Sequence, residues 1–202
     1  MSNRRDSFWL SAGGVNGVVT PLIAFTFIAL SILGYPQFSW INNALSDLGI
    51  VPGITSVLFN FGLYVSGLLA LIFSIGLYKF LNKNILGKIG AIIFAAASLA
   101  LEGIGWAPEN VYPFHYYFSV AFFTLVPISL LIITGYFLIL RQYRFAAFTF
   151  IIAVLGAATW VLYFLIQYVP GVAIPEALSA IAGSVWTIIT GWKMYQVSVK
   201  NI

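Results

Sequence analysis

With one histidine, five acidic residues and no cysteine in 202 residues, the groups able to do chemistry can be weighed one by one. The absence of cysteine excludes disulfides, thiolate zinc sites, iron–sulfur clusters and cysteine nucleophiles together. A single imidazole excludes a histidine cluster and disfavours bis-histidine haem and zinc hydrolysis, so neither metal nor cofactor is expected. Three groups lead the remaining candidates. Glu102 falls one turn before Trp106 in an apolar stretch, where an ionisable side chain is costly and usually faces a bundle interior or a polar cavity. His115 follows after a short loop and is expected at similar depth, within reach of a hydrogen bond to Glu102. Asp47 ends the run Ser39-Trp-Ile-Asn-Asn-Ala-Leu-Ser-Asp47, with Ser46 and Asn43 beside it. As catalysts, His115 would serve as general acid or base, Glu102 or Asp47 would orient it, and Ser46 would be a conceivable nucleophile. As structure, the same groups would staple helices and lock a turn.

The elements that position these residues follow from composition. At 61% hydrophobic and 7% charged, the chain has too few charges to coat a water-soluble globule, for which about 25% is ordinary. A bilayer core needs about 20 apolar residues per helix. Six runs qualify, over about 13–35, 54–80, 85–106, 114–140, 145–169 and 176–196. None alternates with period two as barrel strands do. The expected fold is an all-α integral membrane protein, a single six-helix transmembrane domain over 1–202. Pro36, the pair Pro52-Gly53, Pro108, Pro113 and Pro170 mark breaks, and Pro175 before Glu176 reads as a helix start. Pro21 and Pro127 lie inside spans. The first run is of full span length and has no clear cleavage site, so it is expected to be retained rather than removed as a signal peptide.

Drawing these six spans puts all nine Lys and Arg residues on one side, from Arg4 and Arg5 to Lys193 and Lys200. The positive-inside rule then predicts both termini in the cytoplasm of a cell-membrane protein. Asp47, Glu102, Glu109 and Glu176 gather toward the outer face. Basic residues dispersed at span ends give no nucleic-acid footprint; their natural partners are lipid head groups.

The largest outer loop, 36–53, carries apolar residues Trp40, Ile41, Ala44, Leu45 and Leu48 at helical spacing. It predicts a short interfacial helix capped by Ser39 and ended by a left-handed Gly49, with Asp47 in its last turn. Trp40, Trp106, Tyr112 and Tyr116 sit at the same level, either as an interfacial aromatic belt or as walls of a pocket. Glu176 reads as a helix-dipole partner and Glu109 as solvated surface. Asn60, Thr159 and Gln167 read as bridges between helices.

Two stretches carry a resemblance. Tyr35-Pro-Gln-Phe-Ser-Trp-Ile-Asn-Asn-Ala-Leu-Ser-Asp-Leu-Gly49 with Leu58-Phe-Asn60 and the Gly62 to Gly67 spacing forms the first. Glu102-Gly-Ile-Gly-Trp-Ala-Pro-Glu109 with His115-Tyr-Tyr-Phe and Pro127-Ile-Ser-Leu130 forms the second. Together they resemble the domain of unknown function 998 family of archaeal and bacterial membrane proteins, with Trp106-Ala107 standing where Phe is usual. The resemblance implies six membrane helices and draws attention to Asn43, Ser46, Asp47, Asn60, Glu109 and His115. It implies no activity.

The first functional expectation is a non-catalytic membrane protein that holds a lipid or other amphipathic ligand in an outer-face vestibule, or that serves as an accessory subunit, homo-oligomeric or within a membrane complex. The alternative is an intramembrane enzyme acting on lipid head groups through His115 with Glu102 or Asp47. A transporter or channel ranks last, because no ionisable group lies near the midplane.

Overall fold

The computed structural model describes residues 2–200, and every regular element among them is helical. Six helices, each long and apolar enough to cross a membrane, run in chain order: α1 (Ser2–Leu33), α2 (Ile54–Phe80), α3 (Ile85–Trp106), α4 (Phe114–Ile139), α5 (Tyr143–Ile166) and α6 (Ala173–Lys200). Each packs on the next in sequence, and α6 returns to α1. The helices therefore form a closed ring.

Cross-contacts fix the directions. Gly13 faces Gly76 while Gly62 faces Phe27, so α1 and α2 are antiparallel. The same reading follows for α3 and α4 from Gly103 at Phe118 and Gly90 at Ile133. Trp160 donates to Ser179 and Trp186 to Thr149, which pairs α5 with α6 head to tail. Ser7 Oγ donates to the Ser198 carbonyl at 3.0 Å, closing α6 on α1. Up-and-down helices place the Lys and Arg residues at one end, where Lys79 pairs with Asp6 at 2.9 Å and Lys193 lies 3.6 Å over the Phe145 ring. The other end carries the long loops and Asp47, Glu102, Glu109 and Glu176.

Close approach sets where the ring is tight. A methyl group on Gly67 would lie 2.6 Å from the Glu102 Cα, so α2 and α3 touch backbone to backbone there. The basic half is filled by one apolar cluster that includes Phe73, Leu77, Phe94, Leu130, Ile133 and Trp186. Trp186, fully buried, meets the Phe73 and Phe94 rings at 6.1 and 5.7 Å between centroids.

Three helices have boundaries more than one residue away from the sequence reading. The first helix begins at Ser2, because nothing breaks it before Gly13 and Ser7 and Asp6 anchor it. It ends at Leu33 since Pro36 drives the preceding residue away from helical geometry. The fifth ends at Ile166 on a left-handed, exposed Gln167, so Gln167 caps a helix instead of bridging two. The sixth starts at Ala173, with Pro175 still in its first turn.

The expected interfacial helix over 39–49 does not form. Turns run to Leu45, and only a single 3-10 turn, Ser46–Ile50, follows. Side chains explain it: Asn43 Oδ1 takes the Ser39 N–H at 2.8 Å, and Asp47 Oδ2 takes the Ala44 N–H at 3.0 Å and Asn43 Nδ2 at 2.6 Å. Backbone donors captured this way are lost to a helix. Asp47 thus opens the 3-10 turn rather than closing a helix. The positive-φ glycine is Gly53, not Gly49.

Candidate functional site

The first loop folds inward and becomes a lid over the ring. Its backbone is knitted to the loop before α6, with Gly171 N–H donating to the Ile41 carbonyl at 2.8 Å and Ala173 N–H to the Asn43 carbonyl at 2.9 Å. A side chain on Gly171 would strike the Asn43 carbonyl at 2.5 Å, so only glycine lets the two strands of loop approach. From α2, Asn60 Nδ2 donates to the Gly49 carbonyl at 2.9 Å. Gly49 in turn is required because a Cβ there would sit 2.6 Å from Asn60 Oδ1. The last tie is the deepest: Leu45 N–H donates at 2.7 Å to Oε2 of Glu176, a side chain only 9% exposed.

Beneath this lid lies a cavity of ≈150 Å3 to which all six helices contribute. An engineered apolar cavity of that size in another protein holds benzene. Lining residues on α4 run from His115 to Leu130, about 22 Å along a helix at 1.5 Å per residue. So small a volume over such a length is a slot rather than the open vestibule expected. Its walls are chiefly Phe, Leu, Ile, Ala and Pro, with Pro21 and Pro127 both among them. Several hydroxyls on the wall are already spent: Thr20, Ser98, Ser179, Ser184 and Thr187 each donate to a carbonyl of their own helix.

Polar groups with capacity to spare collect under the lid. Ser46, His115 and Glu176 line the slot and are all buried. His115 Nδ1 lies 2.7 Å from the Ala107 carbonyl. A carbonyl oxygen can only accept, so Nδ1 carries the proton and a neutral ring keeps its lone pair on Nε2. Nε2 has no partner among the described residues. The only hydrogen bond to the Glu176 carboxyl among them uses Oε2, which leaves Oε1 open.

Asp47 and Glu109 are neighbours of Glu176. Glu109 is half-buried rather than solvated, and its Oε2 is sealed with no donor among the described residues. Burial pushes its carboxyl above the usual carboxylate range, and the neighbouring Asp47 charge pushes it further against a smaller opposing effect of Ser46. A proton held between Glu109 and Asp47 would supply the missing donor.

A surface groove adjoins the slot. Lying between α1 and α6, it is lined by Pro21, Leu22, Phe25, Ile181, Ser184 and Val185, among others, and shares Pro21, Phe25 and Ser184 with the slot. Toward the basic end the same two helices are clamped, since Gly14 and Gly17 meet Gly191, Tyr195 and Thr187 backbone to backbone.

A family model described as "Protein of unknown function (DUF998)" matches residues 18–193. The chain belongs to the DUF998 family. Every slot-lining residue except Asn16 and Gly17 falls within that match. No curated protein and no solved structure matches this DUF998 chain.

The structure sorts the sequence candidates for this DUF998 protein. It brings Ser46 and His115 to the slot, and it gives Asn43, Asp47 and Asn60 to the lid's own hydrogen bonds. The expected Glu102–His115 bond is absent among the described residues: the imidazole turns to Ala107 O, and Glu102 packs against Gly67 outside the slot lining. Trp40, Trp106, Tyr112 and Tyr116 are exposed and line no part of the slot; its aromatic walls are phenylalanines such as Phe25, Phe59 and Phe122. Thr159 bonds within its own helix. Sequence reasoning missed Glu176 as the lid anchor. An acid beside Pro175 at a helix start reads as a partner of the helix dipole, and only the fold of the first loop buries it against Leu45.

Proposed function

We propose that this DUF998 protein binds a slender amphipathic ligand from the bilayer, holding its chain in the slot and its polar end under the lid. The observation that carries this reading is the axial asymmetry of the slot: walls that are mainly apolar along its length, interrupted by Asn16 and by hydroxyls bonded within their own helices, and Ser46, His115 and Glu176 together at one end. Pockets for amphiphiles combine these two features, apolar walls and a few convergent polar groups. The groove between α1 and α6, sharing three residues with the slot, supplies an entry from the lipid side. With the basic end in the cytoplasm of a cell membrane, as the charge distribution favours, the lid and the polar end of the ligand face outward.

The enzyme reading draws less support. Ser46 and His115 share the slot, yet no hydrogen bond joins them among the described residues, and the group orienting the imidazole is the Ala107 carbonyl rather than a carboxylate. Nucleophilic catalysis needs the nucleophile within reach of its base. Native mass spectrometry of protein extracted in a mild detergent tests the proposal. A discrete adduct in the lipid mass range is expected, and a consistently bare mass with no lipid in the organic extract overturns it.

A further inference from the structure

Three features under the lid bear on which polar end would fit. First, His115 is spent as a donor on the Ala107 carbonyl at 2.7 Å, so a neutral ring can offer the slot only the Nε2 lone pair. Second, Glu176 presents its free Oε1 at the same end, with the Asp47 and Glu109 carboxyls nearby. Third, no Lys or Arg is near. The segments 34–53, 107–113 and 167–172 contain no Lys or Arg, and the described Lys and Arg residues stand at the opposite ends of the helices. Phosphate and carboxylate groups are recognised chiefly by cationic side chains, and these segments have none. Ser46 can donate or accept and does not decide the matter.

We infer that the ligand is a single-chain amphiphile whose polar end is a hydrogen-bond donor without negative charge, a hydroxyl or an ammonium, set between His115 Nε2 and Glu176 Oε1. This rests on the proposed binding of an amphiphile and goes one step further, to the chemistry of its head. A fatty acid or a phospholipid head would find no Lys or Arg there. A hydroxyl can give its one hydrogen to either acceptor, and an ammonium has a hydrogen for each, with two further carboxyl groups nearby.

The test uses the full chain in nanodiscs of a zwitterionic phospholipid at neutral pH. Hexanol, hexylamine and hexanoate, identical in chain length and short enough for a cavity of ≈150 Å3, compete for the slot, with native mass spectrometry and intrinsic tryptophan fluorescence as readouts. Tighter binding of the alcohol or the amine than of the acid, by about tenfold or more, is expected; which of the two wins identifies the head. Equal or tighter binding of hexanoate overturns the inference while leaving the slot as an amphiphile site. Binding of none of the three overturns both. Glu176→Gln keeps an oxygen for Leu45 N–H and turns an open acceptor into a donor on rotation, so the margin over the acid should shrink by about threefold to tenfold, one hydrogen bond's worth. His115→Phe, which removes Nε2, should shrink it similarly. A margin unchanged in both variants overturns the assigned contacts.

Discussion

Two glycines on the wall of the slot allow it to be filled without a clash. A Cβ on Gly156 in α5 would meet nothing within 4 Å, and one on Gly183 in α6 would meet only Val126 Cγ1 at 3.7 Å. Both residues line the cavity. Gly156→Leu and Gly183→Leu each remove a glycine from a helix interior, worth about 0.8 kcal/mol. Filling the whole ≈150 Å3 at about 24 cal/mol per Å3 sets a ceiling of about 3.6 kcal/mol, of which one leucine captures a part. A stabilisation of about 1–3 kcal/mol is therefore expected for ligand-free protein, a rise of about 2–4 °C in melting temperature for each kcal/mol in a chain of this size. The same leucines occupy the chain's place, so added amphiphile should no longer raise the melting temperature. Trp186 reports both, since it packs on Phe73 and Phe94 and both of these line the slot. A fall in melting temperature for both variants, or undiminished stabilisation by amphiphile, would refute the reasoning, because it would mean that the space is absent or that the ligand sits elsewhere.

Other expectations concern the lid and the orientation. Glu176→Ala orphans the buried Leu45 N–H and should destabilise by about 1–3 kcal/mol, with faster amide exchange over 39–50, whereas Glu176→Gln keeps the bond; equal exchange in both variants would contradict the anchor. Glu109, whose carboxyl is raised in the folded protein by burial and by Asp47, binds its proton more readily folded than unfolded. Its contribution to stability is then complete below the unfolded value near 4.5 and is lost as pH rises through the folded value. Melting temperature against pH should fall over that window in the wild type and stay flatter in Glu109→Gln; parallel curves would refute the raised Glu109 carboxyl. The chain has no cysteine, so single-cysteine variants report topology cleanly. Asn110→Cys should react with an impermeant maleimide on intact cells and Asn82→Cys only after permeabilisation, and the reverse pattern would overturn the proposed orientation.

What the sequence made legible was the part governed by local rules. The α2 boundaries, Ile54–Phe80, and those of α3, Ile85–Trp106, are readable because Gly53 and the Asn82-Lys83-Asn84 turn interrupt apolar runs of span length. The gathering of Ser46 and His115 at one end followed from counting helices. What escaped depended on distant contacts. The helical spacing of Trp40 to Leu48 was real, but Asn43 and Asp47 satisfied the backbone first, and Gly171, 128 positions after Asn43, received the loop instead. Glu102 looked functional because it is an acid within a span. Its backbone sits against Gly67, a contact no helical pattern on α3 alone reveals. Glu176 looked ordinary for the opposite reason, since its burial is conferred by a loop 131 residues away. An apolar slot also leaves little mark on a sequence in which most residues are apolar anyway.

The most direct measurement is an experimental density map of the protein purified from its own membrane without added lipid. The account predicts a continuous, unbranched feature inside the helix ring, beside Phe122 and Leu130, ending within hydrogen-bonding distance of His115 Nε2. A ring collapsed onto itself, or ordered amphiphile only on the outer surface of the helices, would contradict it.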